Sequence, residues 1–216
     1  GLMRNLPQER LSIATGGTGG VYYPYGGGLA NLLSNHLEGI EVTAEVTPAS
    51  VDNMLLIESQ DADLAFVLAD TLYDASQGTG AFEAPIPAQA LAVLYNNVTH
   101  VVTTDGAGID SIADLAGKTV SVGSPGSGTE VIADRLLTAA GIDPQTGITR
   151  EQLGASESAG AIRDGRIDAY FWSGGLPTAS VTDLGATPNF DLKLVNNADL
   201  VDEMQEAHGS FYGTAT

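Results

Sequence analysis

Short β-type runs alternate with helical patterns along almost the whole chain, and that alternation permits little besides an α/β fold with mainly parallel strands. The strand patterns are Leu11–Thr15, Ile40–Val46, Asp63–Leu68, Ala90–Tyr95, Val98–Thr103, Thr119–Val122, Ile167–Trp172 and Asp191–Val195. Between them, Leu29, Leu32, Leu33, His36 and Leu37 recur at helical spacing and form one apolar stripe. Ile132, Leu136, Ala139 and Ala140 repeat that stripe, with Gly141 where a helix C-cap belongs. Ser50 reads as the N-cap of a helix over residues 51–59.

One place interrupts the alternation. Ala90–Tyr95 and Val98–Thr103 are separated only by Asn96-Asn97, too short for the crossover that parallel neighbours need. The pair is either a hairpin or a strand leaving one sheet to enter another, and the second arrangement makes a hinge between two lobes. With 216 residues, the chain is long enough for two lobes of about 100 residues each.

A glycine-rich turn lies on each side of that hinge: Ala14–Gly28 (ATGGTGGVYYPYGGG) and Val122–Glu130 (VGSPGSGTE). Each follows a strand pattern and opens a helical one, which aims unpaired backbone N–H groups and the positive end of a helix at a small anion. Two such turns in separate β/α units predict one ligand gripped from two sides. Neither matches a phosphate or dinucleotide signature. Gly128 precedes Thr129 where a Walker loop has lysine, and Val46-Thr47-Pro48 stands where a ribose-binding acid would close the second strand. On spacing alone, helix capping by Ser127 or Thr129 competes equally with an anion site.

Acidic residues number 27 against 8 lysines and arginines, a formal net charge of −19 spread along the whole length. Such a surface repels nucleic acid and anionic lipid. It predicts a protein adapted to very high salt, where screening removes the self-repulsion. Cysteine is absent, which excludes disulfides, thiolate metal sites and cysteine nucleophiles. No apolar run approaches the roughly 18 residues of a membrane span, and the Gly1-Leu2-Met3 start shows no signal-peptide pattern. Three scattered histidines and no acids at loop spacing fit neither zinc nor calcium. Ser127, His100 and an aspartate supply hydrolase residue types, but Gly126-Ser127-Gly128 lacks the GxSxG elbow. The expectation is a binding protein with no catalytic residues, metal or cofactor.

Four segments in order carry a family resemblance: TGGTGGVYYPYGGGLA, VTPASVDNMLLIESQDADLAFVLAD, ALAVLYNNVTHVVTTDGAGIDSIADLAGKTVSVGSPGSGTEVIADRLL and AIRDGRIDAYFWSGGLPTASV. Together, from Leu11 to Val195, they resemble the TAXI family of solute-binding proteins, receptors of tripartite ATP-independent (TRAP) transporters. The resemblance implies a type II periplasmic-binding fold: two α/β lobes, 1–96 and 97–205, hinged over a ligand, with 206–216 beginning a return to the first lobe. Family members run on for about 80 to 100 residues more, so it also implies a chain that stops at Thr216 with the first lobe incomplete. The implied function is extracytoplasmic, in the periplasm or on the outer face of the membrane with or without a lipid anchor. A monomeric receptor would pass a small carboxylate (an acidic amino acid such as glutamate, a 2-oxo acid or a dicarboxylate) to TRAP membrane subunits. An effector-binding regulatory domain and an enzyme on the same fold are the rival readings.

The site residues follow from the turns and the strand ends. In the second turn Ser124, Ser127 and Thr129 offer hydroxyls, while Gly126 and Gly128 allow close backbone approach; the resemblance favours the ligand site over capping. In the first, Gly17, Thr18 and Gly19 precede Tyr22, whose ring is placed to close over a ligand. At strand ends, where α/β sheets bind ligands, stand Phe66, Leu68, Asp70, Tyr95, His100, Trp172, Ser173, Gly174 and Gly175. For Phe66 and Leu68 a core position is the stronger reading; Trp172, the only tryptophan, is expected to form one wall of the cleft.

Overall fold

The computed structural model describes residues 8–216; the Gly1-Leu2-Met3 start lies outside the described residues. Strand β1 (Glu9–Ala14) is the centre of a parallel three-stranded sheet, flanked by β2 (Ile40–Glu45) and β3 (Leu64–Ala65). Helices α1 (Tyr22–His36), α2 (Ser50–Ser59) and α3 (Ala69–Gln77) connect and cover these strands. Of the stripe read from sequence, Leu29 and Leu33 on α1 pack with Ile13, Val42 and Phe66; Leu32 and His36 face solvent, and Leu37 is an exposed residue past the end of the helix, so the buried face is narrower than the spacing predicts. On α2, Val51 and Met54 join Ala75, Phe82 and Ile86 in a second apolar layer.

The second sheet has five strands in the order β6-β5-β7-β4-β8: β4 (Val98–Thr104), β5 (Thr119–Ser121), β6 (Thr149–Glu151), β7 (Ala169–Gly174) and β8 (Leu192–Leu194). β5, β6 and β7 are parallel, and β4 runs antiparallel to β7 and β8. Successive residues of one strand point to opposite faces, so Val101 and Phe171 pack under α4 (Gly128–Ala139) while Val102 and Tyr170 pack under α5 (Ala155–Arg163) and α6 (Ala179–Gly185). Each face of the sheet is thus covered by helices. Helix α7 (Val201–His208) adds Met204 to the α4 side. No helix among the described residues is long and apolar enough to cross a membrane.

Three readings are corrected. Ala90–Tyr95 forms no strand: it belongs to an irregular segment after α3 in which Leu91 is 80% and Val93 93% exposed. β-rich composition does not make a strand where no neighbour supplies hydrogen bonds. Asn96-Asn97 therefore joins this segment to β4, not one strand to another. Nor does Ser50 cap α2; Ala49, at φ +91°, holds the cap position with no side-chain bond. The Ser50 hydroxyl instead accepts from Leu68 N (3.2 Å) and pairs with the Tyr22 phenol (3.1 Å). The strand expected over Asp63–Leu68 is only the two residues of β3, because Phe66 turns its carbonyl to Asn53 Nδ2 (2.8 Å).

The two halves touch at several points. Gly126 O accepts from Val51 N (3.0 Å) and Asp52 N (3.1 Å), so the start of α2 is occupied by the backbone of the second turn. Behind it, Arg135 on α4 pairs with Asp74 on α3 (2.5 Å) and donates to the Tyr212 phenol (2.8 Å), which donates to Asp70 (2.6 Å). These groups are mostly buried, and burial raises the Tyr212 phenol well above its ordinary range. Removing one partner would strand a buried charge, so the cluster fixes how the halves meet more than it adds stability.

Candidate functional site

The parallel strands of both sheets direct their C-terminal ends at one cavity of about 180 Å³, lined by residues just after β1, β2, β3, β5, β6 and β7. Behind these strand ends Asn53, fully buried, donates from Nδ2 to Thr15 O (2.7 Å) and Phe66 O (2.8 Å) and so ties the ends of β1 and β3 together.

Three helices begin at the cavity. α1 starts after Val21 and α5 after Gly154, neither with a side-chain cap; α4 starts after Ser127. The first N–H groups of a helix have no partner within it. Those of Gly128, Thr129, Ala155 and Ser156 are therefore available to an occupant, with the partial positive charge of each helix end behind them. Among the described residues no lysine, arginine or histidine lines the space, and Glu157 is its only carboxylic acid.

Of the residues expected from sequence, Gly17, Thr18, Gly19, Tyr22, Leu68, Ser124, Ser127, Gly128, Thr129, Trp172 and Gly174 line this cavity, as do Tyr95 and Ser173. Their roles differ. Ser127 Oγ donates to Ser124 O (2.6 Å) and accepts from Glu130 N (3.1 Å), so its hydroxyl caps α4. The Thr129 hydroxyl accepts from Ser173 N (3.2 Å) and keeps its proton for another partner. Tyr22 presents its ring, since its phenol is engaged by Ser50; burial pushes that phenol well above its usual range. Trp172 is a wall: Nε1 donates to Thr178 Oγ1 (2.9 Å), and a methyl added to Gly20 would meet the ring at 2.9 Å. Tyr95 Oη is buried without a hydrogen-bond partner, and burial raises the phenol to about 12. A polar end of an occupant would satisfy it.

Phe66, Gly126, Gly175, Asp70 and His100 do not line the cavity. Phe66 is buried beneath Tyr22 and Tyr25 (ring centroids 5.4 and 5.6 Å). Gly126 faces α2, Gly175 lies against Tyr95, and Asp70 belongs to the Arg135 cluster. His100 sits half-buried on β4 opposite Trp172, its pKa lowered by burial, and makes no contact with Ser127 that would serve hydrolysis.

Sequence reasoning missed Leu153–Glu157. This segment follows the short polar β6 and opens α5, whose buried face is made of Ala155, Ser158, Ala159, Ala161 and Ile162. So few large apolar residues leave no stripe to read. The available signal was Gly154, followed within three residues by Glu157, a helix start with an acid in its first turn.

The NMT1-like family model matches residues 13–215. The chain belongs to the NMT1-like family. Solved structures share its architecture at low identity. The alkanesulfonate-binding protein SsuA from Xanthomonas axonopodis pv. citri, bound to MOPS, superposes with a TM-score of 0.57 at 18% identity, over 88% of this chain and 61% of that one. A binding-protein component of a phosphonate transporter from Pseudomonas aeruginosa gives 0.59 at 14%, over 88% and 65%. An ancestral arginine-binding protein bound to arginine gives 0.59 at 15%, over 93% and 94%. The chain thus spans less than two thirds of each of the two bacterial proteins. The fold is the type II periplasmic-binding fold expected from the sequence.

Proposed function

We propose that this NMT1-like chain is the ligand-binding part of an extracytoplasmic solute receptor that captures a small carboxylate without chemistry and delivers it to TRAP-type membrane subunits. Its lobes are residues 1–96 and 97–205, with 206–216 returning toward the first. The cavity between the glycine-rich turns carries this reading. An anion there meets backbone N–H groups, the Ser124 and Thr129 hydroxyls and helix ends. Burial between the lobes strengthens each of these bonds relative to water. At about 180 Å³ the space compares with an engineered cavity of about 150 Å³ that holds benzene, so it suits a ligand the size of an amino acid or 2-oxo acid. The relatives named above concern an alkanesulfonate, a phosphonate transporter and arginine, ligands that all carry an oxyanion group.

Calorimetry with acidic amino acids, 2-oxo acids, dicarboxylates, an alkanesulfonate and a phosphonate tests the ligand class. Micromolar or tighter binding of one carboxylate is expected. Binding of the sulfonate or phosphonate alone overturns the carboxylate assignment, and no heat with any of them overturns the receptor. Uptake into vesicles tests the partner: ATP-independent uptake supports TRAP subunits, whereas a requirement for ATP contradicts them. The −19 charge is read as adaptation to high salt. A melting temperature that climbs from low to multimolar salt is expected, and a flat series opposes it.

A further inference from the structure

We infer that the occupant is zwitterionic: an α-amino acid, or another small molecule with one oxyanion and one ammonium group, whose ammonium is recognised by Glu157. This rests on the carboxylate-receptor reading and narrows it. The charge balance of the cavity is the first reason. Among the described residues no cationic side chain lines it, so a bound anion is opposed there by helix ends, each equivalent to roughly +0.5 charge. The starts of α1 and α4 together offset about one negative charge. A dicarboxylate would leave a second charge unmet, beside the acid at position 157 and inside a chain of net charge −19.

The placement of Glu157 is the second reason. It stands in the first turn of α5 at the rim of the cavity, and its side chain folds back over its own helix start. A methyl added to Gly154 would meet Glu157 Oε2 at 2.6 Å and Ser124 Oγ at 3.3 Å. The carboxylate and the second turn's free hydroxyl therefore flank one point. The Glu157 carboxylate already offsets the positive end of α5, whereas Glu130 in the first turn of α4 is paired with Arg150 (3.1 Å), which leaves α4 and the first turn to hold the ligand's anion. A cation beside that anion then finds Glu157 as its only charged partner among the described residues of the cavity.

Matched pairs differing only at the α-position test this: L-glutamate against 2-oxoglutarate, L-alanine against pyruvate, and L-leucine against 4-methyl-2-oxopentanoate, by calorimetry on the full chain. The amino member of at least one pair should bind ten-fold or more tightly than its oxo partner. Glu157→Gln, checked for an unchanged melting temperature, should bring that pair within three-fold; Glu157→Asp should restore part of the preference. Oxo acids binding as tightly as amino acids, or a preference that survives Glu157→Gln, overturns the inference and leaves the receptor reading standing. No heat with either member of any pair contradicts both.

Discussion

In the first glycine-rich turn a backbone bond from Gly20 N to Gly17 O (3.1 Å) closes the loop ahead of α1, and a side chain at Gly17 would meet nothing within 4 Å. In the second, Ser127 caps α4, Gly126 N reaches Glu130 Oε1 (3.3 Å), and Gly126 O receives two N–H groups from α2. The sequences are similar; the free hydrogen-bonding capacity is not. Both turns touch the other half, the first through Gly19 beside Ser156 and Gly20 beside Trp172; the second is in addition hydrogen-bonded to α2 and leaves the Ser124 hydroxyl and the N–H groups of Gly128 and Thr129 unpaired. Glycine content alone therefore does not mark a binding turn. What distinguishes one is the number of its donors that the fold leaves unpaired.

The largest effect should come from Gly126→Val. The position has φ +80°, and a Cβ there would lie 2.2 Å from Asp52 Oδ1, so the junction with α2 must move. Backbone strain of this kind is worth about 2 kcal/mol of stability, read by denaturant unfolding; the same change at Gly27, near the end of the first glycine-rich stretch and with nothing within 4 Å, should cost far less. Equal losses at the two positions would abolish the contrast. Next, Ser124→Ala should weaken binding about 3- to 10-fold, the net value of one ordinary hydrogen bond of about 1 kcal/mol, with an unchanged melting temperature. Ser127→Ala should do the reverse: the loss of a cap destabilises by about 1 kcal/mol, read by denaturant unfolding, while affinity stays within about three-fold. A large affinity loss at Ser127 would place it among the ligand contacts.

The smallest effect is electrostatic. Burial first, and then Glu130, raise the Asp52 carboxyl above its ordinary value. A group whose folded pKa is raised favours the fold while protonated, and this contribution disappears as pH rises through the folded value. Asp52→Asn should therefore raise the melting temperature at pH 7 slightly, by less than about 2 °C, and the gain should vanish in acid. A variant less stable at pH 7 would show that the carboxylate serves the junction.

Much of the fold was legible because it rests on local pattern. The strands at Leu11, Ile40, Val98 and Thr119 contain β-branched residues, those at Ile167 and Asp191 are aromatic or leucine-rich runs, and α1 and α4 have apolar residues at helical spacing. Elements defined by their partners were not legible. Ala90–Tyr95 has strand composition and no neighbour, whereas β6 has polar composition and becomes a strand because β5 lies beside it. At the site, the turns could be read from their glycines. The engagement of Ser127 and the docking of Gly126 on α2 could not, because each depends on where a residue distant in sequence arrives. Leu153–Glu157 was hidden by the small residues that let α5 pack closely.

Amide chemical shifts during a titration with a bound carboxylate test most directly whether the two turns face one ligand. The backbone N–H signals of Gly17, Thr18, Gly128 and Thr129 should all move together and saturate at one stoichiometric equivalent. Movement confined to one turn, or saturating shifts elsewhere while these four remain fixed, would contradict a ligand held between them.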